Sequence, residues 1–465
     1  AFDKKTGQTM WVSSPGARPY DTTYSPPVLA SVNGQRLLIA GGGDGAVHAL
    51  KPQTGEPVWR YEMAKRGVNT GVVMNGNIAI VTHSEENLDS NEMGLIAAID
   101  ASAKGNLTAA SVRWGVKGFQ GGFSSPILDG DRILQVDNGA NLFAFDAGTG
   151  KTLWQHNLGT IQKASPVYGD GKIYVGSENG KFFILRARND RAEVLDEDWL
   201  GSEAKPEAIL ASVAVSRGRI FLASMEALYS FGRKTSGAIP APALAAVESA
   251  PADAAVAHVQ VVPTEQILKP GGKVQFRARL FDDKGRFIKE SPAAWSLDQL
   301  QGTIQDGVFT ASSAPAQAGQ VKAAVGNVTG AATLRVMRAV PWSESFDGNA
   351  VPREFVNATG KFAVREVEGN KVLVKLADNP FTKRARVFMG PSDLANYTVQ
   401  ADVLATERRR QMGDAGVVAQ RYALVLFGNH QRIELQPWQP ETTRTVQKPF
   451  PWKSNTWYRM KLRVE

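Results

Sequence analysis

Short runs of alternating apolar and polar residues, separated by tight glycine turns, recur through the first half of the chain. The clearest unit is ASPVYGDGKIYVGSENGKFFILRA, residues 164–187, in which Gly-Asp-Gly and Asn179-Gly180 divide three such runs. Alternation with a period of two is typical of a half-buried β-strand, and Asn-Gly between two such runs is a strong hairpin signal. The pattern therefore predicts a meander of three short antiparallel strands.

The same unit occurs five times, in residues 24–50, 70–83, 124–145, 164–187 and 211–231. Tryptophans accompany the units at intervals of 40 to 55 residues, at Trp11, Trp59, Trp114, Trp154 and Trp199. Repeats of this length are typical of propeller blades or helical arrays, and the β-pattern favours blades. We expect each segment that contains a tryptophan to add a fourth strand, which gives about five four-stranded sheets.

An eleven-residue motif marks these segments. It reads AFDKKTGQTMW at residues 1–11, AFDAGTGKTLW at residues 144–154 and, more loosely, ALKPQTGEPVW at residues 49–59. The Thr-Gly pair predicts a tight turn, since glycine adopts positive φ without strain. The tryptophan is large enough to dominate packing between adjacent sheets. We interpret the motif as the joint between successive blades.

These letters resemble the PQQ-binding-like β-propeller repeat, whose signature is A-x-D-x-x-T-G-x-x-x-W. The resemblance covers residues 1–234 and implies a β-propeller. Members of that family usually have eight blades, and a propeller must close to hide its sheet edges. With five blades in the sequence, we expect a partial propeller that is incomplete at its N-terminal side.

The rest of the chain also favours β-structure, so the predicted fold class is all-β. Residues 235–258 are rich in Ala and Pro and read as a linker. Residues 259–338 resemble a bacterial Ig-like β-sandwich, on the basis of Pro263, Gly271-Gly272, Asp283-Lys284-Gly285, Trp295 and DGVFTA at 306–311. Residues 339–465 resemble a concanavalin- or laminin-G-like jelly roll, which we expect to be incomplete at its C-terminal side.

Composition narrows the function classes. The 465 residues carry a net charge of +8, but the basic residues are scattered, with ERRR at 407–410 as the one tight cluster. We therefore expect no nucleic-acid partner. The chain has no cysteine, which excludes disulfides and thiolate chemistry in it. No apolar run approaches the roughly 18 to 20 residues that span a bilayer. A periplasmic or secreted bacterial protein is the predicted setting.

The family resemblance raises the question of a quinone cofactor. It implies that an enzyme of this type would hold PQQ and Ca²⁺ over the propeller axis, with carboxylate and amide ligands and often adjacent cysteines. No carboxylate of this chain maps onto such a site, and the five histidines show no metal-ligand spacing. We predict no catalytic residue, no metal site and no cofactor, with PQQ plus calcium kept as the alternative.

Residues just before each innermost strand are the candidate ligand-binding site, because polar and aromatic groups there should face the central channel. They are Tyr24, Asn69, Thr70, Gln120, Phe123, Ser124, Gln162 and Lys163. The competing interpretation is that they only cap strand ends. In the jelly roll, Trp438 and Trp452 are the candidates for stacking on sugar rings, whereas Trp457 is expected in the core.

The sequence thus predicts a non-catalytic, extracytoplasmic binding or scaffold protein with protein or glycan partners in the cell envelope. Its propeller would form a binding platform, and its jelly roll would bind glycans. Two enzymatic alternatives stay open at this point. One is a PQQ-dependent quinoprotein dehydrogenase, and the other is a glycan-processing enzyme that uses the C-terminal domain.

Overall fold

The computed structural model of the protein describes residues 1–17, 19–232, 248–251, 253–376, 385–437 and 444–465. In these ranges the chain forms forty-two β-strands and one 3₁₀ turn, Ala109–Ser111. No helix in the described ranges is long and apolar enough to cross a membrane. The prediction of an all-β fold is therefore confirmed.

The strands of the first half are short and follow one another closely. They are β1 (Val28–Val32), β2 (Gln35–Gly41), β3 (Ala46–Leu50), β4 (Pro57–Glu62), β5 (Val73–Asn75), β6 (Ile78–Glu86), β7 (Met93–Asp100), β8 (Gly105–Asn106), β9 (Val112–Lys117), β10 (Ile127–Asp129), β11 (Arg132–Val136), β12 (Asn141–Asp146), β13 (Thr152–Asn157), β14 (Val167–Gly169), β15 (Lys172–Gly176), β16 (Lys181–Ala187), β17 (Ala192–Trp199), β18 (Gly201–Ser202), β19 (Lys205–Pro206), β20 (Ala214–Ser216), β21 (Arg219–Ala223) and β22 (Leu228–Gly232).

These strands form five consecutive antiparallel meanders, as predicted. The first sheet is β1-β2-β3-β4 with β8 added in parallel beside β4, and the second is β5-β6-β7-β9. The third is β10 to β13, and the fourth is β14 to β17. The fifth has three strands in the described residues, β20 to β22, and β18 and β19 form a separate hairpin. A tryptophan lies in the fourth strand of each four-stranded sheet, as the repeat predicted.

The apolar core of this half lies between neighbouring sheets. Val47 and Trp59 of the first sheet pack with Val81 of the second. Ile96 of the second sheet belongs to the same cluster as Ile133 of the third. Similar clusters join the third sheet to the fourth and the fourth to the fifth. Burial of apolar surface contributes about 25 cal/mol per Å², so the sheets are stabilised face to face, in the manner of propeller blades.

Three of the five repeated indoles hydrogen-bond to a turn of the neighbouring sheet, whereas the N–H of the buried Trp59 has no partner among the described residues. In these three the N–H donates to a backbone carbonyl: Trp11 to Pro52 (3.0 Å), Trp114 to Ala147 (3.1 Å) and Trp154 to Arg188 (2.9 Å). A buried indole usually has a partner for its one polar group. The hydrogen bond therefore fixes where the ring sits against the neighbouring sheet.

The glycine of the Thr-Gly turn makes room for this indole. Gly55 and Gly150 have φ of +74° and +73°. A Cβ on Gly150 would lie 2.5 Å from Cε3 of Trp114, and a Cβ on Gly55 would lie 2.3 Å from Cε3 of Trp11. Asp146 completes its turn by accepting hydrogen bonds from the N–H and the hydroxyl of Thr149. The turn of the motif thus forms the surface on which the preceding tryptophan packs.

The interpretation of the motif as a chain joint between blades is wrong. The two strands that flank the third copy, β12 and β13, pair with each other in one sheet, with Ala144 opposite Trp154. The motif is therefore the hairpin between the last two strands of a sheet. It joins neighbouring sheets through side-chain packing rather than through the chain itself.

A second series of contacts aligns the first strands of successive sheets. The N–H of Gly71 donates to the hydroxyl of Ser125, that of Ser125 to Ser165, and that of Ser165 to Ser212, each at 2.8 Å. Each of these residues comes just before the innermost strand of its sheet. The hydroxyl chain therefore holds the starts of these strands side by side.

The second half begins with ten strands. They are β23 (His258–Val262), β24 (Glu265–Leu268), β25 (Lys273–Gln275), β26 (Arg277–Phe281), β27 (Phe287–Ser291), β28 (Ala294–Asp298), β29 (Gly302–Gln305), β30 (Val308–Ala311), β31 (Gln317–Val325) and β32 (Val328–Val336). They form the sheets β23-β26-β27, β24-β32-β31-β28 and β25-β30-β29. One shared core holds them together, with Val261, Phe276, Phe309 and Leu334 fully buried. Residues 258–336 are thus a compact β-sheet unit.

The described part of the predicted linker belongs to this unit. Ala250 and Ala257 donate hydrogen bonds to Phe287 and Phe281, and Val256 packs on the core. The rest of the predicted linker, residues 235–247, lies outside the described residues.

Hydrogen bonds fix this unit against the first sheet. Glu56 pairs with His258 at 3.2 Å, and the Thr264 hydroxyl donates to the Met10 carbonyl at 2.6 Å. The Gln260 amide donates to the Gln53 carbonyl at 2.9 Å. The hydrogen bond from His258 lowers the pKa of Glu56 to about 2, so this carboxylate is ionised in the contact.

The last ten strands form smaller sheets. They are β33 (Phe362–Val367), β34 (Asn370–Lys375), β35 (Tyr397–Val403), β36 (Glu407–Arg408), β37 (Gln411–Met412), β38 (Ala415–Ala419), β39 (Tyr422–Phe427), β40 (Arg432–Pro437), β41 (Val446–Pro449) and β42 (Tyr458–Val464). The four-stranded sheet β38 to β41 shares a core with the pair β35-β42, in which Leu426, Trp452 and Met460 are buried. β33-β34 and β36-β37 are hairpins.

We predict that Gly150→Ala destabilises the protein more than Gly130→Ala does. Both glycines have positive φ, +73° and +58°, so both substitutions carry a backbone cost of about 1 kcal/mol. Only the Cβ at 150 meets a ring, because nothing lies within 4 Å of the Cβ position at 130. Overpacking adds about 1–3 kcal/mol. Urea-induced unfolding followed by circular dichroism measures the difference, and equal losses would show that the indole does not need this glycine.

Candidate functional site

One end of the five sheets gathers most of the predicted site residues. It is the end at which β1, β5, β10, β14 and β20 begin, and we call it the inner-strand face. The chain of serine hydroxyls holds the starts of β5, β10, β14 and β20 side by side. Because the strands are antiparallel, the hairpins between the second and third strands of each sheet lie at the same end. Loops from all five sheets therefore contribute to one surface.

An exposed aromatic pair lies on this face. Tyr24 and Phe123 come from the first and third sheets and meet edge to face, with ring centroids 5.6 Å apart. Their exposed fractions are 60% and 46%. Edge-to-face pairs are worth about 0.5–1.5 kcal/mol beyond their buried area, so each ring holds the other in place. The structure brings these two predicted residues together.

Further exposed apolar side chains lie on the same face, in the fourth and fifth sheets. Ile161, Leu210 and Met225 are all exposed. Ile161 and Leu210 precede Ser165 and Ser212, and Met225 lies in the β21–β22 hairpin. Sequence reasoning missed them because it selected polar and aromatic residues. Ile161 and Leu210 do share a signal with Tyr24 and Phe123, because each is an apolar or aromatic residue four to six positions before the start of an innermost strand.

Three predicted site residues are buried and do not face a channel. Thr70 donates to the Thr82 carbonyl at 2.7 Å, and Ser124 accepts at its carbonyl from the Gln135 amide. Gln162 donates to the Ala164 carbonyl at 2.9 Å. Their expected position as channel-facing ligand groups is wrong, because they are at most 3% exposed and bond within their own sheets. They satisfy backbone groups at strand ends, which was the competing interpretation.

The other predicted polar residues lie at the surface or close to it. The Asn69 side chain accepts from the backbone N–H of Tyr24 at 3.4 Å. Gln120 is exposed, and its carbonyl accepts from Asn138. Lys163 pairs with Glu178 at 2.9 Å. Asn69 thus supports the aromatic pair, while Gln120 and Lys163 contribute polar groups to the loops around it.

Carboxylates also occur on this face. Glu85 follows His83 in β6, and burial together with the charge of Asp21 raises its pKa. Glu178 is neutralised by Lys163, and Glu207 accepts hydrogen bonds from Ser224 and Tyr229. The face therefore combines an apolar centre with several carboxylates, one of which is paired with a lysine.

A buried cluster of charged residues lies beneath the inner-strand face. Asp44, in the β2–β3 hairpin, contacts His48 at 3.0 Å and Arg60 at 3.3 Å. Burial alone would raise the pKa of Asp44, but hydrogen bonds from His48 and the N–H of Ala17 outweigh it and hold the pKa well below its usual range. All its acceptor sites are directed inward, so Asp44 is a structural residue.

His83 is a second buried titratable group near the face. It lies in β6, next to Thr82, and is almost fully buried. Burial lowers its pKa to about 4. The imidazole is therefore neutral at physiological pH.

The two tryptophan candidates of the last segment have different outcomes. Trp438 lies outside the described residues. Trp452 is 4% exposed, donates to the Phe427 carbonyl and packs edge-on against Tyr458. Its faces are covered, so its expected role in stacking on sugars is wrong. Trp457, expected in the core, is 38% exposed and donates to Glu368.

The described residues do not provide the donor set that a quinone-bound Ca²⁺ requires. Ca²⁺ takes six to eight oxygen ligands, several of them carboxylates. No group of three or more His, Cys, Asp or Glu placed to hold a metal occurs in the described ranges. The absence of a cofactor stays a prediction.

Known proteins match the first part of the chain. The family model described as outer membrane protein assembly factor BamB matches residues 1–108 and 92–275, which together exceed half of the chain. This match confirms the interpretation of the first half as a PQQ-like β-propeller repeat protein. It also extends beyond the predicted propeller boundary at residue 234.

Individual relatives match over shorter segments. The outer membrane protein assembly factor BamB of Salmonella typhimurium is 31% identical over 158 residues, which are 33% of this chain and 38% of that protein. Its Escherichia coli counterpart is 27% identical over 176 residues, 37% of this chain and 42% of that protein. The chain thus spans about two fifths of the length of these relatives. The crystal structure of BamB from Moraxella catarrhalis is 16% identical, with a TM-score of 0.35, covering 62% of this chain and 85% of that one.

We predict that His83 makes the protein less stable at pH 5 than at pH 7. Its pKa is about 4 in the fold and about 6.5 in the unfolded chain. The free energy that favours the fold because it keeps this imidazole neutral is therefore fully present above pH 6.5, and it is lost as the pH falls towards 4. Linkage gives a loss of about 2 kcal/mol between pH 7 and pH 5.

Urea-induced unfolding at the two pH values measures this loss, with His83→Asn as the test. The pH-dependent part should disappear in that variant, whatever its absolute stability. His430→Asn, at an exposed histidine, is the control and should keep it. An unchanged pH dependence in His83→Asn would contradict the assignment.

Proposed function

Because this chain belongs to the family of the outer membrane protein assembly factor BamB, we propose that it is a non-catalytic scaffold that binds proteins of the cell envelope during outer membrane assembly. Its propeller would present the inner-strand face to a protein partner. The observation that carries the proposal is the exposed Tyr24–Phe123 pair with its apolar neighbours. Contiguous exposed apolar groups ringed by polar ones are typical of protein interaction sites.

The composition of the face supports a protein partner. Exposed aromatic side chains held rigidly by their neighbours act as anchors in protein interfaces. The surrounding carboxylates that have no basic partner within the described residues, such as Glu85 and Glu207, would orient a partner that carries basic residues and speed its approach. The proposal places no catalytic group on the face and requires no cofactor. It implies a location in the periplasm or outside the cell, at the outer membrane.

We further propose that the second half of the chain extends this platform. Residues 259–338 would be an Ig-like spacer, supported by stacked sheets around one core. Residues 339–465 would be a jelly roll, supported by the core shared between β35-β42 and β38 to β41. Glycan binding through Trp438 is the remaining part of this proposal. It predicts that Trp438→Ala weakens retention on cell-envelope polysaccharide while Trp457→Ala does not.

The protein-binding proposal predicts that Tyr24→Ser with Phe123→Ser abolishes partner capture. The affinity-tagged protein would be expressed in its own bacterium and purified from detergent-solubilised envelopes. Mass spectrometry would then quantify the organism's outer membrane assembly proteins. Truncation of two anchor residues typically weakens an interface by about 2–4 kcal/mol, so we expect enrichment to fall at least tenfold.

The matched control is Val194→Ser with Leu195→Ser. These residues are also exposed and apolar, but they lie in β17, the outermost strand of the fourth sheet. Capture should be unchanged in this variant. No enrichment of assembly proteins by the wild type would refute the proposed function, and equal capture by both double variants would refute the role of the face.

A further inference from the structure

The positive charge of the chain is concentrated in its last segment. Residues 1–234 carry twenty-four Lys and Arg and twenty-four Asp and Glu, so they are balanced. Residues 339–465 carry nineteen basic and thirteen acidic residues. This segment therefore supplies most of the net charge of +8. Such an excess attracts anionic ligands.

Three consecutive arginines lie at the tip of one hairpin in this segment. β36 and β37 pair through Glu407–Met412 and Arg408–Gln411, which leaves Arg409 and Arg410 as a two-residue loop. Both have positive φ, +53° and +61°. Two such residues make a type I′ turn, in which Asn-Gly is preferred. The turn thus holds two arginines at positive φ, a backbone conformation that is unfavourable for arginine. Backbone strain of this kind clusters at functional sites.

These arginines are free to bind a ligand. Arg408, Arg409 and Arg410 are exposed, and within the described part of the chain none of their guanidinium groups has an ion-pair or hydrogen-bond partner. Other exposed arginines of the same segment are paired, as Arg459 is with Asp402 at 2.8 Å. The cluster is therefore an uncompensated patch of positive charge.

A polar cleft adjoins the hairpin. Arg410, Asn429, Lys453 and Ser454 line it, together with Glu407, Met412, Gly428, Gln431 and Trp452. Its lining is held in place by hydrogen bonds. The Asn429 carbonyl oxygen Oδ1 accepts from the Met412 N–H, and the Gln431 side chain joins the Gly428 carbonyl to the Trp452 N–H. Glu407 is the one carboxylate among the lining residues.

We propose that this cleft, with Arg409 and Arg408 at its rim, binds a phosphate-bearing ligand. Arginine presents a planar fork of donors that matches phosphate oxygens, and lysine adds a point charge. Arg410 and Lys453 lie in the cleft, and the charge of Glu407 is exceeded by these two and the rim arginines. The Asn429 amide supplies a neutral donor, while the Ser454 hydroxyl is 3.5 Å from Glu407 and donates to it. The ligand is either a phospholipid headgroup at a membrane surface or a free phosphate compound.

The first test uses two probes on the full chain. One is phosphatidylcholine vesicles with and without phosphatidylglycerol, in a sedimentation assay. The other is inorganic phosphate, in calorimetry. Binding to the phosphatidylglycerol vesicles would assign a lipid headgroup, and binding to phosphate alone would assign a free phosphate compound. Failure to bind either probe would overturn the proposal.

The second test is the variant Arg409→Asn with Arg410→Gly. This change installs the preferred type I′ pair, so it should raise the thermal unfolding midpoint. It also removes two guanidinium groups, so binding should weaken at least tenfold. A raised midpoint with unchanged binding would show that the arginines are only a turn, and would overturn the proposal.

The matched control is Arg365→Gln with Arg421→Gln. Both residues are exposed, neither lines the cleft, and the loss of charge is the same. Its binding should stay within about twofold of the wild type, with equal salt dependence. Equal weakening in both double variants would mean that the ligand responds only to net charge, and the site would be refuted.

Discussion

The contact between an indole of one sheet and the glycine turn of the next is the interaction on which the propeller depends. A single four-stranded sheet of this size has two apolar faces and no core of its own. The tryptophan covers the turn of its neighbour, and its N–H is satisfied by a carbonyl there, as in Trp114 and Ala147. Glycine at position 150 is the condition for this fit, because any side chain would meet the ring.

The proposed binding surface, the inner-strand face, lies at the opposite ends of the strands from these tryptophan contacts and depends on the same stacking of sheets. Once the sheets are held face to face, the hydroxyl chain from Ser125 to Ser212 sets the starts of the innermost strands level. Loops from different sheets then meet on one surface. Tyr24 and Phe123 are ninety-nine positions apart in sequence and touch because the first and third sheets present their loops at the same end. The Glu56–His258 pair fixes the following β-sheet unit to the first sheet, so the platform has a defined extension.

Much of the fold could be predicted from the sequence, because alternation, turn glycines and spaced tryptophans are local signals. Which side chains are buried between sheets could not be predicted, since the alternation along one strand does not show which neighbouring element covers each of its faces. Thr70 and Gln162 were expected to face the central channel and are buried for this reason. In the same way, Trp452 was expected at the surface and is buried, whereas Trp457 was expected in the core and is exposed. The Arg409-Arg410 turn carries no turn signal at all, because its conformation opposes residue preference.

The coupling free energy between Trp114→Leu and Gly150→Ala tests the central claim most directly. If the glycine exists to seat the indole, removing the ring should relieve the cost of the added methyl group. We expect the losses of stability from Trp114→Leu and Gly150→Ala to fail to add by at least about 1 kcal/mol, whereas those from Trp114→Leu and Gly130→Ala add within about 0.5 kcal/mol. Losses at 114 and 150 that add within that same margin would contradict the claim.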